Sequence, residues 1–157
     1  MAGLNHLEIA VQDVMLMERF WVENLGFWVT DRSDQAGEGE MVFMTSDDSE
    51  HHQVVLRQSS NASAPTEVID HVAFQIETLA DLRAMLATNR SLGPDRIETV
   101  SHGSTWSLYV HDPEGGRVEF FVDTPWPIRQ PCRFEIDLDR SDLEELTRSQ
   151  LESQGLL

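Results

Sequence analysis

The sequence predicts an α+β chain built from two copies of one βαβββ module. Three observations carry this: a repeat at constant offset, a change of hydrophobic period inside each copy, and turn residues where the period changes. Leu4-Asn5-His6-Leu7-Glu8-Ile9-Ala10-Val11 aligns with Ile69-Asp70-His71-Val72-Ala73-Phe74-Gln75-Ile76, every position displaced by 65 residues. In each segment a His follows an amide or carboxylate residue and opens an alternating run. Alternation puts Leu7, Ile9 and Val11 on one strand face and His6 and Glu8 on the other. In the second copy it separates Val72, Phe74 and Ile76 from His71 and Gln75.

The same order of elements follows in both copies. Residues 15–24 carry Leu16, Phe20 and Val22 at helical spacing and stop at Gly26; residues 79–88 carry Leu82, Met85 and Leu86 likewise. Short strand-like runs come next, at 27–30, 41–45 and 53–57, then at 97–100, 106–110 and 117–122. The Ser-, Asn-, Ala- and Pro-rich stretch 59–66 reads as the linker. We therefore expect a single domain over residues 1–124, with modules at about 1–58 and 68–124. In the tail, 125–157, Ser141-Asp142-Leu143-Glu144 fits a capping box opening a short acidic helix to about residue 153. The tail would cover either the open side of its own sheet or a partner subunit.

Composition narrows the function. The chain has 157 residues, 40% hydrophobic and 25% charged, as globular proteins do. A net charge of −17 opposes binding to nucleic acid. All eleven basic residues are Arg, so neither a lysine Schiff base nor a P-loop lysine is available. The single Cys132 makes neither an intrachain disulfide nor a thiolate zinc site, which fits a reducing compartment. The first residues lack the apolar run of a signal peptide, and no stretch approaches the roughly 18 apolar residues that span a bilayer. The expectation is a soluble cytoplasmic protein without nucleic-acid or membrane partners.

The polar residues left off the core faces hold the chemistry. Trp106, Leu108 and Val110 share a face that leaves Ser107 and Tyr109 opposite; Val118, Phe120 and Val122 leave Glu119 opposite. If the copies form one cupped mixed sheet, His6, His71, Tyr109 and Glu119 converge inside it. Two His and one carboxylate leave coordination positions open on a divalent metal. The competing reading makes both His half-buried strand residues and pairs Glu119 with Arg117. Phe20, Trp21 and Trp28 are expected in the core and His111 at the solvent. The acidic run from Asp34 to Glu50 reads as a solvated loop and strand edge.

With the turn Asp112-Pro113-Glu114-Gly115-Gly116 leading into Arg117-Val118-Glu119, the chain resembles the vicinal oxygen chelate superfamily over residues 4–124. The resemblance implies paired modules around one metal held by His6, His71 and Glu119. Four-ligand members such as glyoxalase I add a carboxylate where this chain has Val54. Within the superfamily, His51-His52-Gln53-Val54-Val55-Leu56 and Ser101-His102-Gly103 with Tyr109 resemble type I extradiol ring-cleaving dioxygenases, here in a one-domain form. That implies Fe(II), with Mn(II) possible, and a small aromatic diol cleaved with O2 by a homodimer or higher oligomer. It implies His52 as acid-base, Tyr109 as a hydrogen-bonding partner of the substrate and His102 as a stabiliser of charge. Strict alternation favours His51 in the cavity and the resemblance favours His52. Other metal-dependent members remain alternatives: a fosfomycin-type thiol transferase using the same ligands, or a glyoxalase-like lyase. So does a metal-free binder of aromatic drugs.

Overall fold

The computed structural model describes residues 4–35, 39–59, 69–128 and 132–157. The chain forms two compact units, residues 1–68 with 112–115 and residues 69–111 with 116–157. Each holds one βαβββ module and its own mixed sheet.

In the first unit, β1 (Leu7–Val11) leads into α1 (Val14–Leu25), followed by β2 (Trp28–Gln35), β3 (Gly39–Thr45) and β4 (Val54–Gln58). The sheet order is β1-β4-β3-β2, with β1 parallel to β4 and the other pairs antiparallel. Helix α1 starts where the Asp13 carboxylate accepts the Leu16 N–H and stops at left-handed Gly26. It buries Val14, Met17, Phe20, Trp21 and Leu25, one stripe at helical spacing. From the sheet, Val42, Met44, Val54 and Leu56 are fully buried. Trp28, expected in the core, is instead 40% exposed. It opens edge strand β2, which has a partner on one side only, so fewer neighbours are available to cover an indole. The turn residue Glu114 groups with this unit: its carboxylate accepts the backbone N–H groups of Gln12 and Asp13 at 2.8–2.9 Å.

The second unit contains β5 (Val72–Gln75), α2 (Leu79–Asn89), β6 (Ile97–Ser101), β7 (Thr105–His111) and β8 (Arg117–Asp123). Two further elements, β9 (Phe134–Glu135) and α3 (Leu143–Ser153), belong to the tail. The order is β5-β8-β7-β6-β9, with β5 parallel to β8. Strand β7 is buried on both faces, including Ser107 and Tyr109. The tail covers its own unit. Strand β9 pairs with β6, Thr99 Oγ1 donates to the Ile136 carbonyl, and the Trp106 indole N–H donates to Thr147 Oγ1 at 3.0 Å. Leu143, Thr147 and Leu151 form the buried stripe of α3.

The expected capping box is not formed. The motif needs Ser141 at the N-cap, but the helix starts one residue later with Asp142 there; Arg140 donates to both Asp142 carboxylate oxygens at 2.8 Å, and no helix N–H bonds to that side chain. A guanidinium fork matched to both oxygens outcompetes a single amide. Among the described residues, no helix is long and apolar enough to cross a membrane.

Candidate metal and catalytic site

In the second unit, strand pairing brings the candidate residues together. Parallel β5 sets Ala73 beside Glu119 on β8, and antiparallel β7 sets Tyr109 on its other side. His71, two residues before Ala73, places Nε2 3.1 Å from Glu119 Oε2. Its Nδ1 lies 2.6 Å from Asp70 Oδ1, a carboxylate oxygen that can only accept, so Nδ1 carries the proton. In the neutral ring Nε2 then presents a lone pair to another lone pair, on Glu119. Such a contact is favourable only when a cation, either a proton or a metal ion, lies between the two atoms. Neighbouring ligands about 2.1 Å from one divalent ion sit about 3 Å apart, so the donors fit a metal in type and spacing.

Arg117 does not pair with Glu119. Its guanidinium bonds Asp70 and lies 4.7 Å from the centroid of the Tyr109 ring. Glu119 is only 7% exposed, and the His71 ring is the group that faces its carboxylate.

Tyr109 is buried edge-on to His71, ring centroids 5.5 Å apart, with its hydroxyl 3.1 Å from His102 Nε2. His102 Nδ1 lies 3.1 Å from the carbonyl of Cys132. Burial, and then the charge and hydrogen bonding of Glu119, push the Tyr109 phenol up to about 12. It therefore remains a neutral phenol throughout the physiological range. Burial also raises the Cys132 thiol above its ordinary value, which does not favour a thiolate nucleophile.

Tyr109 is the only tyrosine in the chain, so titration in the ultraviolet reads it alone. Tyrosinate absorbance of the native protein should appear only near pH 12, against about 10 in the unfolded chain. A raised pKa means that the native state keeps the proton longer. Its stabilising contribution is complete below pH 10 and is lost as pH rises toward 12. An ordinary midpoint in the native protein would contradict the buried phenol.

The first unit repeats the histidine arrangement. His6 directly precedes β1, and its Nδ1 lies 2.9 Å from Asn5 Oδ1. As at His71, the preceding side chain holds Nδ1 and leaves Nε2 available. The His52 ring lies 4.7 Å from that of His6 and edge-on to Phe43 at 5.2 Å. His51 is more exposed and touches His52, Nδ1 to Nδ1 at 2.9 Å. Strict alternation does not govern this pair, because β4 begins only at Val54. Gln53 anchors the approach: its side-chain oxygen accepts from the Ser46 N–H, and its carbonyl accepts from the Leu7 N–H. Desolvation, and then the nearby rings of His6 and His51, lower the His52 pKa.

Among the described residues, no group of three or more His, Cys, Asp or Glu side chains is assembled to hold a metal ion. The candidate donors are distributed as His6 in the first unit and His71 with Glu119 in the second. Val54, at the position equivalent to Glu119, is a fully buried apolar side chain and offers no further ligand. Sequence reasoning saw the Asn5-His6 and Asp70-His71 pairs but not their orienting role. It missed the Arg117–Asp70 bond and the Cys132 carbonyl altogether. His111, expected at the solvent, is half-buried and sits 3.5 Å from Glu98.

Residues 3–120 match the model of the Glyoxalase/Bleomycin resistance protein/Dioxygenase superfamily. Biphenyl-2,3-diol 1,2-dioxygenase 3 of Rhodococcus globerulus is 31% identical over 125 residues, covering 76% of this chain and 63% of that protein. Biphenyl-2,3-diol 1,2-dioxygenase 2 of the same organism is 33% identical over 90 residues, covering 55% and 47%. The chain thus spans about half to three fifths of the length of these relatives. The crystal structure of a glyoxylase/bleomycin resistance protein/dioxygenase domain from Frankia sp. EAN1pec shares the fold. It has a TM-score of 0.67 at 16% identity and covers 80% of this chain and 94% of that one. With its two βαβββ modules and this match over three quarters of its length, the chain belongs to the glyoxalase/bleomycin resistance protein/dioxygenase superfamily.

Proposed function

We propose that the protein is a non-haem Fe(II)-dependent extradiol dioxygenase that opens the ring of a catechol-type diol with O2. In this reading His6, His71 and Glu119 hold the metal, and His52, Tyr109 and His102 act on the substrate. The observation that carries it is the 3.1 Å approach of His71 Nε2 to Glu119 Oε2, with the Asp70 carboxylate behind the ring. Two relatives named as dioxygenases of an aromatic vicinal diol support the choice of reaction. Mn(II) accepts the same donors. Cytoplasmic location and assembly as a homodimer or higher oligomer belong to the same reading.

Bound Fe(II) would supply Lewis acidity toward the diol and the electrons that O2 activation requires. The protein's own contribution is proton control and orientation. His52, with its lowered pKa, is a neutral base near pH 7, suited to take a hydroxyl proton and later return it. Tyr109, protonated and held between His102 and the Arg117 guanidinium, provides a fixed hydroxyl as a hydrogen-bonding partner for the substrate. Asp70 and Asn5 each fix the tautomer of the ligand histidine that follows them.

The test is oxygen uptake by anaerobically Fe(II)-loaded protein given a panel of catechols, with product followed by its visible absorbance and His71→Ala as the control. O2 consumption with a yellow product in the parent alone is the expected result. Silence despite one bound metal per chain would overturn ring cleavage in favour of non-oxidative metal chemistry. Silence with no bound metal would favour a protein that simply binds aromatic molecules.

A further inference from the structure

The superfamily match ends at residue 120, yet a group beyond it reaches the candidate catalytic residues. The carbonyl of Cys132 lies 3.1 Å from His102 Nδ1, and the other ring nitrogen lies 3.1 Å from the Tyr109 hydroxyl. We propose that the C-terminal segment is a positioning element of the site: the Cys132 carbonyl holds His102 in its Nδ1–H form and thereby directs the Tyr109 proton onto His102 Nε2.

The chemistry follows from what each atom can do. A backbone carbonyl only accepts, so a hydrogen bond to it requires the proton on Nδ1. The neutral ring then has a bare Nε2, and the Tyr109 hydroxyl is the donor of the second bond. Glu119, in register with Tyr109 across the β7–β8 pairing, is the other acceptor near that phenol. With the opposite tautomer, Nε2–H would donate to the Tyr109 oxygen, and the phenol proton would turn to Glu119. The tautomer of one histidine therefore decides whether the Glu119 carboxylate is engaged by Tyr109 or left open.

Several independent contacts hold the carbonyl in place. Gly103, at φ +81, allows the approach: a Cβ there would fall 2.9 Å from Cys132 Sγ and 3.0 Å from the Ile128 side chain. The Thr124 hydroxyl donates to the Gly103 carbonyl at 2.5 Å, tying down the same loop. Just after Cys132, β9 joins the sheet beside β6, and Arg83 donates to the Leu138 carbonyl from α2. Leu138 is fully buried. These contacts make the segment from 132 onward part of the second unit.

The tautomer assignment does not depend on the reaction proposed above; its consequence for the proposed ligand Glu119 does. With its proton committed to His102, Tyr109 meets a substrate hydroxyl as an acceptor, which favours a diol that retains a proton on the oxygen it turns toward Tyr109.

The test is 15N NMR of the metal-free protein with labelled histidine. Spectra are taken at about pH 9, above the ordinary imidazole pKa of about 6.5, so that the neutral tautomer is read directly. His102 should show a protonated Nδ1 and a bare Nε2, although free neutral imidazole side chains favour the Nε2–H form. In Gly103→Ala the displaced segment should release the ring and a measurable Nε2–H population should appear. Gly155→Ala is the control, because Gly155 has φ +68 with nothing within 4 Å of an added Cβ, and it should leave His102 unchanged. An Nε2–H ring in the parent protein, or an unchanged ring in Gly103→Ala, would overturn the assignment. Neither reading requires catalytic turnover, so this result stands or falls apart from the assay of ring cleavage.

Discussion

Glu119→Gln should abolish both metal loading and O2 uptake while leaving the metal-free protein folded. The substitution keeps the shape of the side chain, but it removes the negative charge that faces His71 Nε2. A neutral amide is a much weaker ligand for a hard divalent ion than a carboxylate. Removing an outer-shell partner of a metal ligand typically costs 10–100-fold, so loss of the carboxylate itself should exceed about 100-fold in activity. Asp70→Asn supplies the comparison. It keeps an oxygen for the His71 Nδ1–H but gives up the charge behind the ring, and should fall within that 10–100-fold range. Metal content by elemental analysis and melting of the metal-free protein separate a failed site from a failed fold. Full metal occupancy in Glu119→Gln would remove Glu119 from the ligand set.

The second large effect concerns stability. Leu151→Ala should destabilise the protein by about 2–5 kcal/mol, the usual cost of truncating a buried leucine. Leu151 is fully buried in α3 and lies on the same stripe as Leu143 and Thr147, whose hydroxyl accepts the Trp106 N–H. Truncation opens a cavity, which the polar bond between Trp106 and Thr147 does not relieve. Leu146→Ala, on the exposed side of the same helix, should change stability by no more than about 0.5 kcal/mol. The comparison is made by urea unfolding. Equal, small effects from both would mean that the tail is a dispensable appendage.

Much of the fold was legible because both modules obey simple periodicities. The alternation in residues 7–11 and 72–75 places the apolar side chains inward, and these strands are half covered on one face as expected. Helix ends were readable at Gly26, where a left-handed residue is needed. Strands such as β7 were less legible, since burial of both faces erases the alternation that separates inward from outward. The capping box failed for a different reason: the motif places Ser141 at the N-cap, while the helix begins with Asp142 there, its carboxylate already held by Arg140.

For the site, the sequence by itself determined which side chains are available: His6 and His71 at equivalent positions, each after a residue able to hold Nδ1, and a single Glu119 where the other module has Val54. Repetition carried that information, because equivalent positions in two copies of one module inherit equivalent places in their strands. Only the tertiary structure decided the partners. Arg117 turned to Asp70 rather than Glu119, and His102 met a carbonyl contributed from 30 residues further along the chain. Such bonds depend on strand register and on where a tail docks. Both are fixed by packing between segments distant in sequence, whose cost and gain no local pattern contains.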